Sequence, residues 1–320
     1  MMSSRPCRFS VAATRDSTGA GTRTSQPAAV APGRGAAAAR RLCQSGGLSN
    51  RFLLIGGDVD LQLTGKHVLV TGGSRGIGLA CAREFLREGA RVSLVGRTPA
   101  HVDAAVAQLH SEGHAVHGHC ADLGDAASAL AMVDAAQAKS GAIDVLVNSA
   151  GAARRTPFGE LRPEDWQDAM QAKFFTYINV MDPVIKRMGA RGSGAIVNVI
   201  GMGGKVASPI HLAGGAANAA LMLATAGLAA AYGPFGVRVN AVNPALTLTD
   251  RMAQGIAADA RLRQVSEEEV LRDAQARMPL GRLATPEDIA RAVVFLSSQG
   301  AAYISGAIIS MDGAAVPMVV

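Results

Sequence analysis

The residues with the clearest chemical purpose are those of Thr71-Gly72-Gly73-Ser74-Arg75-Gly76-Ile77-Gly78. Glycine at 72, 76 and 78 removes the Cβ atoms that would hold a backbone away from a pyrophosphate. A helix opening there adds amide donors and the positive end of its dipole. Ser74, Arg75 and Ile77 complete the turn. A second cue lies in Val92-Ser93-Leu94-Val95-Gly96-Arg97, where an apolar run ends. Folds that bind NAD usually place Asp or Glu at that end, on the ribose 2′-hydroxyl. Here the place holds Gly96 followed by Arg97, with Arg75 in the turn nearby. Two guanidiniums suit a 2′-phosphate, which they can grip with forked hydrogen bonds. The pattern predicts NADP(H) in preference to NAD.

Such a turn works only between a buried strand and a helix. Lys66-His67-Val68-Leu69-Val70 precedes it and Leu79-Ala80-Cys81-Ala82-Arg83-Glu84-Phe85-Leu86 follows, which supplies both. Further on, strand-like runs at 67–71, 91–95, 114–119, 143–147, 195–200, 236–242 and 307–311 alternate with helical stretches. The helices fall near 76–88, 99–111, 125–139, 163–188, 212–232 and 286–298. About seven apolar strands with intervening helices imply an α/β fold of Rossmann type, a doubly wound parallel sheet covered on both faces. Residues 59–320 then form one domain, with no room for a separate substrate domain. The polar stretch 259–277, with Glu267-Glu268-Glu269, reads as a solvated helix over the substrate mouth.

Charge is not spread evenly along the 320 residues. Residues 1–58 hold eight Arg, no Lys and two acids, whereas 59–320 hold 23 basic and 23 acidic groups. The body is neutral, which argues against nucleic-acid binding despite the net charge of +6. Segment 1–58 is Ala-, Gly-, Ser- and Arg-rich without periodicity, so disorder is expected. It reads as an upstream-extended start, the favoured alternative, or as an organellar transit peptide. The expected location is the cytoplasm, or an organellar matrix if the extension is a true transit peptide. Cys7, Cys43, Cys81 and Cys120 have neither CxxC spacing nor a disulfide framework, as suits a reducing compartment. No uninterrupted apolar run reaches the roughly 18 residues of a membrane span. His114, His117, His119 and Cys120 crowd one strand, but alternation separates Cys120 from His117 and His119, and no metal is expected.

Five motifs together resemble the short-chain dehydrogenase/reductase family over nearly all of 60–315. They are Thr71 to Gly78, Ala121-Asp122-Leu123, Asn148-Ser149-Ala150-Gly151, Arg238-Val239-Asn240-Ala241-Val242-Asn243-Pro244 and Met311-Asp312-Gly313. The resemblance implies that Asp122, with Leu123 beside it, holds the adenine and that Asn148, Ala150 and Gly151 flank the cofactor. It also implies that Pro244, Thr247 and Thr249 line the nicotinamide side. A small-molecule carbonyl or alcohol substrate follows from it, as does a homodimer or homotetramer packed through the Ala- and Gly-rich helix 212–232.

The chemistry of that family rests on Asn, Ser, Tyr and Lys, and here the chain departs from it. The serine position falls on Gly201, the tyrosine on Gly214, the lysine on Asn218 and the asparagine on Lys173. Amine and amide have changed places between two helices. Lys173, with Asn218 as its hydrogen-bond partner, and His211, three residues before Gly214, become the candidate catalytic groups. A desolvated lysine can fall toward a neutral pKa and act as acid or base. Lys205 is a further candidate. The alternative is a catalytically silent relative that binds nucleotide as a sensor or as a non-catalytic subunit.

Overall fold

A computed structural model describes residues 60–151 and 153–318. The expectations for 1–58 lie outside the described residues. The element order is β1 (His67–Thr71), α1 (Gly76–Arg87), β2 (Arg91–Gly96), α2 (Pro99–Ser111), β3 (Val116–Cys120), α3 (Ala126–Ser140) and β4 (Val145–Asn148). There follow α4 (Pro163–Ala169), a π-helical turn (Met170–Phe175), α5 (Thr176–Arg191), β5 (Gly194–Val199), α6 (Leu212–Tyr232) and β6 (Val237–Pro244). The chain closes with α7 (Asp250–Arg263), α8 (Glu267–Ala276), α9 (Pro286–Ser297) and β7 (Ile308–Met311).

The seven strands form one parallel sheet in the order β3-β2-β1-β4-β5-β6-β7. The order in which strands are added reverses across the β1/β4 boundary, and such a switch point is where doubly wound sheets take nucleotides. Strand alternation divides the core. Val68, Val70, Val145, Val147 and Val197 pack with α1, α2 and α9, including Phe85 and Ile289. Leu69, Leu146 and Ile196 point to the other face, toward α3, α5 and α6, with Met132, Tyr177, Met181 and Leu221. Both faces are covered over the central strands, which read as unbroken apolar runs, whereas the edge strands β3 and β7 are partly exposed.

Helix starts follow local capping chemistry. The Asp125 carboxylate accepts from Ser128 N–H at 2.7 Å to open α3. Thr285 and Asp288 form a reciprocal box at α9, 3.2 and 2.9 Å, with Pro286 at the first turn. Two expectations need correction. The single helix expected over 163–188 is interrupted by the π turn at 170–175. The polar helix expected over 259–277 is two helices, parted where Gln264 turns left-handed at φ 55° and Ser266 caps the next start.

Helix α6 is long and apolar enough to cross a membrane by length and composition alone. In this fold its Ala213, Ala217, Leu221 and Thr225 face is buried in the domain.

Candidate active site

At Gly72 and Gly78 the glycine turn is held by contacts that admit no side chain. A Cβ on Gly72, at φ 65°, would lie 2.8 Å from Ser149 O, and one on Gly78 would run into the Gly72 carbonyl. Gly76 has φ 55° and faces the Thr249 methyl, 3.4 Å from where its Cβ would be. Arg75 precedes α1 in extended conformation and is exposed, as is Arg97 beyond β2. A Cβ on Gly96 would meet Val102 Cγ2 at 2.7 Å and Ser74 Oγ at 3.0 Å. An acidic side chain at Gly96 would therefore need Val102 to move.

Asp122 at the end of β3 turns back to accept from Gly124 N–H at 3.0 Å, and Leu123 is buried. Asn148 departs from the sequence expectation in one respect. Its side chain is fully buried and belongs to a ladder: Thr71 Oγ1 donates to Asn148 Oδ1 at 3.3 Å, Asn148 Nδ2 donates to Asn198 at 3.0 Å, and Asn198 Nδ2 donates to Thr225 at 3.0 Å. The side chain thus sets the height of the next loop rather than reaching into the crevice. In that loop Ser149 and Ala150 N–H both donate to Thr71 Oγ1, at 3.1 and 3.3 Å. Gly151, φ 83°, is pressed against the Ala172 carbonyl and Thr176 Oγ1. Pro244, the last residue of β6, is buried; beyond it Thr247 bridges to Ala284, and Thr249 caps α7 by accepting from Met252 N–H at 3.4 Å.

The candidate proton-transfer groups gather on the other side of the crevice. Lys173 lies in the π turn, a helical distortion that often marks functional sites. It is 7% exposed, and its Nζ donates to Tyr177 Oη at 2.8 Å and to Val199 O at 3.2 Å. Tyr177, fully buried, donates to the same Val199 carbonyl at 2.5 Å. The ammonium sits 4.5 Å from the centre of the Tyr177 ring. Its hydrogen bonds go to Tyr177 and the end of β5, so the partner expected at Asn218 is replaced by these two. Asn218 instead stands with His211 around Gly203. A Cβ on Gly203 would be 3.4 Å from Asn218 Nδ2 and 3.0 Å from His211 Cδ2, and one on Gly201 would be 3.5 Å from Asn218 Nδ2.

His211 lies immediately before α6, and its ring folds over Gly214. A Cβ on Gly214 would stand 2.6 Å from His211 Nε2 and 2.7 Å from Nδ1. The imidazole therefore fills the room beside residue 214 that a side chain there would occupy. Nδ1 is buried with no hydrogen-bond partner. Burial, then the positive charges of Arg155 and Lys173, hold the imidazole below its ordinary pKa. Lys205 is used elsewhere, donating to Ile308 O and Ser310 Oγ, both at 3.2 Å, where it ties the loop after β5 to β7.

The glycine turn and the loops after β4, β5 and β6 gather at the carboxyl end of the sheet, where doubly wound folds take nucleotides. A family profile described as enoyl-(acyl carrier protein) reductase matches residues 72–314. The chain belongs to the short-chain dehydrogenase/reductase family. It is similar to D-threitol dehydrogenase of Mycolicibacterium smegmatis, 38% identical over 259 residues that cover 80% of this chain and 95% of the relative. It also resembles 3alpha-hydroxysteroid dehydrogenase of Mediterraneibacter gnavus, 36% identical over 257 residues, 80% of this chain and 98% of the relative. Among solved structures, the NADPH-bound short chain oxidoreductase of Pseudomonas aeruginosa PAO1, described as containing an atypical catalytic center, is 31% identical. It superposes with a TM-score of 0.72, covering 79% of this chain and 98% of that one.

Two further groups bear on this short-chain dehydrogenase/reductase site. Tyr177 was legible in part as the i, i+4 neighbour of Lys173 on one helix, a spacing at which side chains meet. Arg155, whose charge reaches His211, lies in a loop without periodicity, and only the fold brings the two together.

Proposed function

We propose that this chain is an NADP(H)-dependent oxidoreductase that interconverts an alcohol and a carbonyl on a small molecule, with a proton relay unlike the family's Ser-Tyr-Lys set. The observation that carries it is the His211 ring lying over Gly214, next to the charge of Lys173. Gly201, Gly214, Asn218 and Lys173 stand where the family pattern has Ser, Tyr, Lys and Asn.

The crevice fits a nicotinamide dinucleotide phosphate. Gly72 and Gly78 leave a cradle that a Cβ would crowd, Gly76 sits there at a positive φ, and α1 presents amides at its mouth. Arg75 and Arg97 form no ion pair among the described residues and are available to a 2′-phosphate. The NADPH-bound relative from Pseudomonas aeruginosa supports the same choice. When bound, the cofactor supplies or takes the hydride.

The chain's own groups handle the proton. Neutral His211 accepts the hydroxyl proton of the alcohol in the oxidising direction and returns it to the carbonyl oxygen in the reducing one. A depressed pKa keeps it in the accepting form at neutral pH. Asn218, beside the His211 ring, orients the substrate oxygen through its amide. Lys173 opposes any lasting positive charge on the imidazole, which favours proton release. Dimer or tetramer formation through the exposed face of α6, where Leu223 is 77% exposed, belongs to the same proposal.

The test is titration of NADPH and NADH into the whole chain, followed by a carbonyl and alcohol panel read at the reduced-nicotinamide absorbance. Tight NADPH binding with turnover, lost in His211→Gln while binding persists, is expected. Binding without turnover on any substrate would return the chain to the sensor or non-catalytic subunit reading.

A further inference from the structure

Val199 is the last residue of β5, and the strand on one side of it has already ended. The β4–β5 register closes at Asn148 and Asn198, whereas β5 still pairs with β6 where Val199 faces Val242. Ile200 N–H donates to Val242 O at 2.9 Å. Successive strand residues turn their carbonyls to opposite sides, so that of Val199 points toward β4, past its last residue. A buried carbonyl there needs a donor. It receives two, Tyr177 Oη and, at 3.2 Å, Lys173 Nζ. The phenol alone would satisfy it, and an ammonium only 7% exposed carries a desolvation cost, so the second donor needs a reason of its own. The local geometry is built around that ammonium. A carbonyl only accepts, so the phenol spends its one proton on Val199 O and turns a lone pair to Lys173 Nζ at 2.8 Å. The same ammonium lies 4.5 Å from the centre of the Tyr177 ring. Residues 173 and 177 stand one helical turn apart across the end of the π turn, and Thr176 Oγ1 donates to Lys173 O at 2.8 Å to hold that turn. The strand end gripped in this way runs on into Gly201, at φ 126°, and Gly203, against which Asn218 and His211 stand.

We propose that Tyr177 is a positioning residue of the reaction. Its phenol holds the Lys173 ammonium against the end of β5 and, through Val199, fixes the loop that seats Asn218 and the His211 ring. This rests on the oxidoreductase reading of the site and deepens it with a fully buried residue that acts through its neighbours.

The experiment compares the full chain with its Tyr177→Phe, Lys173→Met and double variants. Each is loaded with NADPH, and consumption is followed with a carbonyl panel of diacetyl, cyclohexanone and dihydroxyacetone. The kcat and KM are taken on the compound reduced fastest, with the NADPH Kd and Tm measured alongside. Tyr177→Phe is expected to lower kcat about 10-fold while KM and the NADPH Kd stay near wild type. Lys173→Met gives a fall of similar size, and the double variant falls no further than the larger single loss, as residues acting through one contact do. A Tyr177→Phe kcat equal to wild type, a loss carried by KM, or two losses that multiply in the double variant would each overturn the proposal. Tyrosine fluorinated beside its hydroxyl, placed at 177, keeps the ring and weakens the phenol as an acceptor, so it answers the same question if the Phe variant does not fold. An unchanged kcat there also overturns the proposal. NADPH binding without consumption by the wild-type chain removes the oxidoreductase reading and this inference with it, whereas equal turnover by wild type and Tyr177→Phe removes the inference alone.

Discussion

At the residue scale the decisive pair is His211 and Gly214. The imidazole can lie where it does because residue 214 has no side chain, so Gly214→Ala places a methyl group within 2.6 Å of Nε2 and drives the ring away. That substitution should lower kcat/KM about 10²- to 10⁴-fold, the usual cost of losing a general acid or base. The NADPH Kd, measured alongside, should stay near wild type, because the glycine turn is untouched. A depressed imidazole pKa also predicts the pH profile. For alcohol oxidation, kcat/KM rises as His211 loses its proton, with the midpoint of the rise below pH 6.5, the ordinary value. A profile still climbing between pH 7 and 9 would point to a different base. Lys173→Met tests the neighbouring charge, and a variant that keeps full turnover would remove Lys173 from the relay.

At the scale of elements, the β1–α1 turn and the α9 cap make opposite kinds of demand. The turn needs absence of atoms. Gly78→Ala would push a methyl group into the Gly72 carbonyl, so NADPH binding should disappear in a titration while far-ultraviolet circular dichroism persists. Arg97→Asp removes a phosphate ligand and offers the ribose a carboxylate instead. It should raise the NADPH Kd about 10- to 100-fold and improve NADH binding. The α9 cap needs atoms present. Asp288 accepts from Thr285 N–H and from Arg282, chiefly the latter, and its pKa is lowered to about 2. Because the folded pKa is depressed, this contribution is complete above the ordinary 3.8 and is lost as the pH falls through about 2. Asp288→Ala should cost about 1 kcal/mol of stability at neutral pH, read by denaturant titration.

At the scale of the whole molecule, histidines on one face of the sheet set an acid limit. His67 is fully buried, with Nδ1 2.8 Å from Gly141 O and Nε2 3.0 Å from Ser93 Oγ. Burial lowers the pKa of His67, and it lowers those of His117 and His119 on β3. His119 and His67 repel one another when charged, His117 feels Lys139 and His110, and the Nε2 of His119 is buried without a partner. A base whose folded pKa is depressed binds its proton better unfolded. Stability is therefore complete above about pH 6.5 and declines as the pH falls from there toward the folded values. The Tm should drop between pH 7.5 and 5.5, and His67→Gln should flatten that slope even if it lowers the Tm at both ends.

Periodicity and turn chemistry determined the order of strands and helices, the nucleotide crevice and the family. Each is a local signal: an apolar run, a glycine without room for a Cβ, a cap before a helix. The seven strand positions and the Thr71–Gly78 turn were legible for that reason. The π turn was not, because a short run of i→i+5 bonds has no residue type or spacing of its own. Sequence spacing placed Lys173 and Asn218 as partners across two helices. Only the packing shows Lys173 turned to Tyr177 and the β5 carbonyl, Asn148 taken up by a buried ladder, and His211 folded over Gly214. Arg155 and His211 lie in separate loops 56 residues apart in the chain. Nothing local couples them, and the reach of the Arg155 charge to His211 depends on β4 and β5 lying side by side in register, which the tertiary structure alone decides.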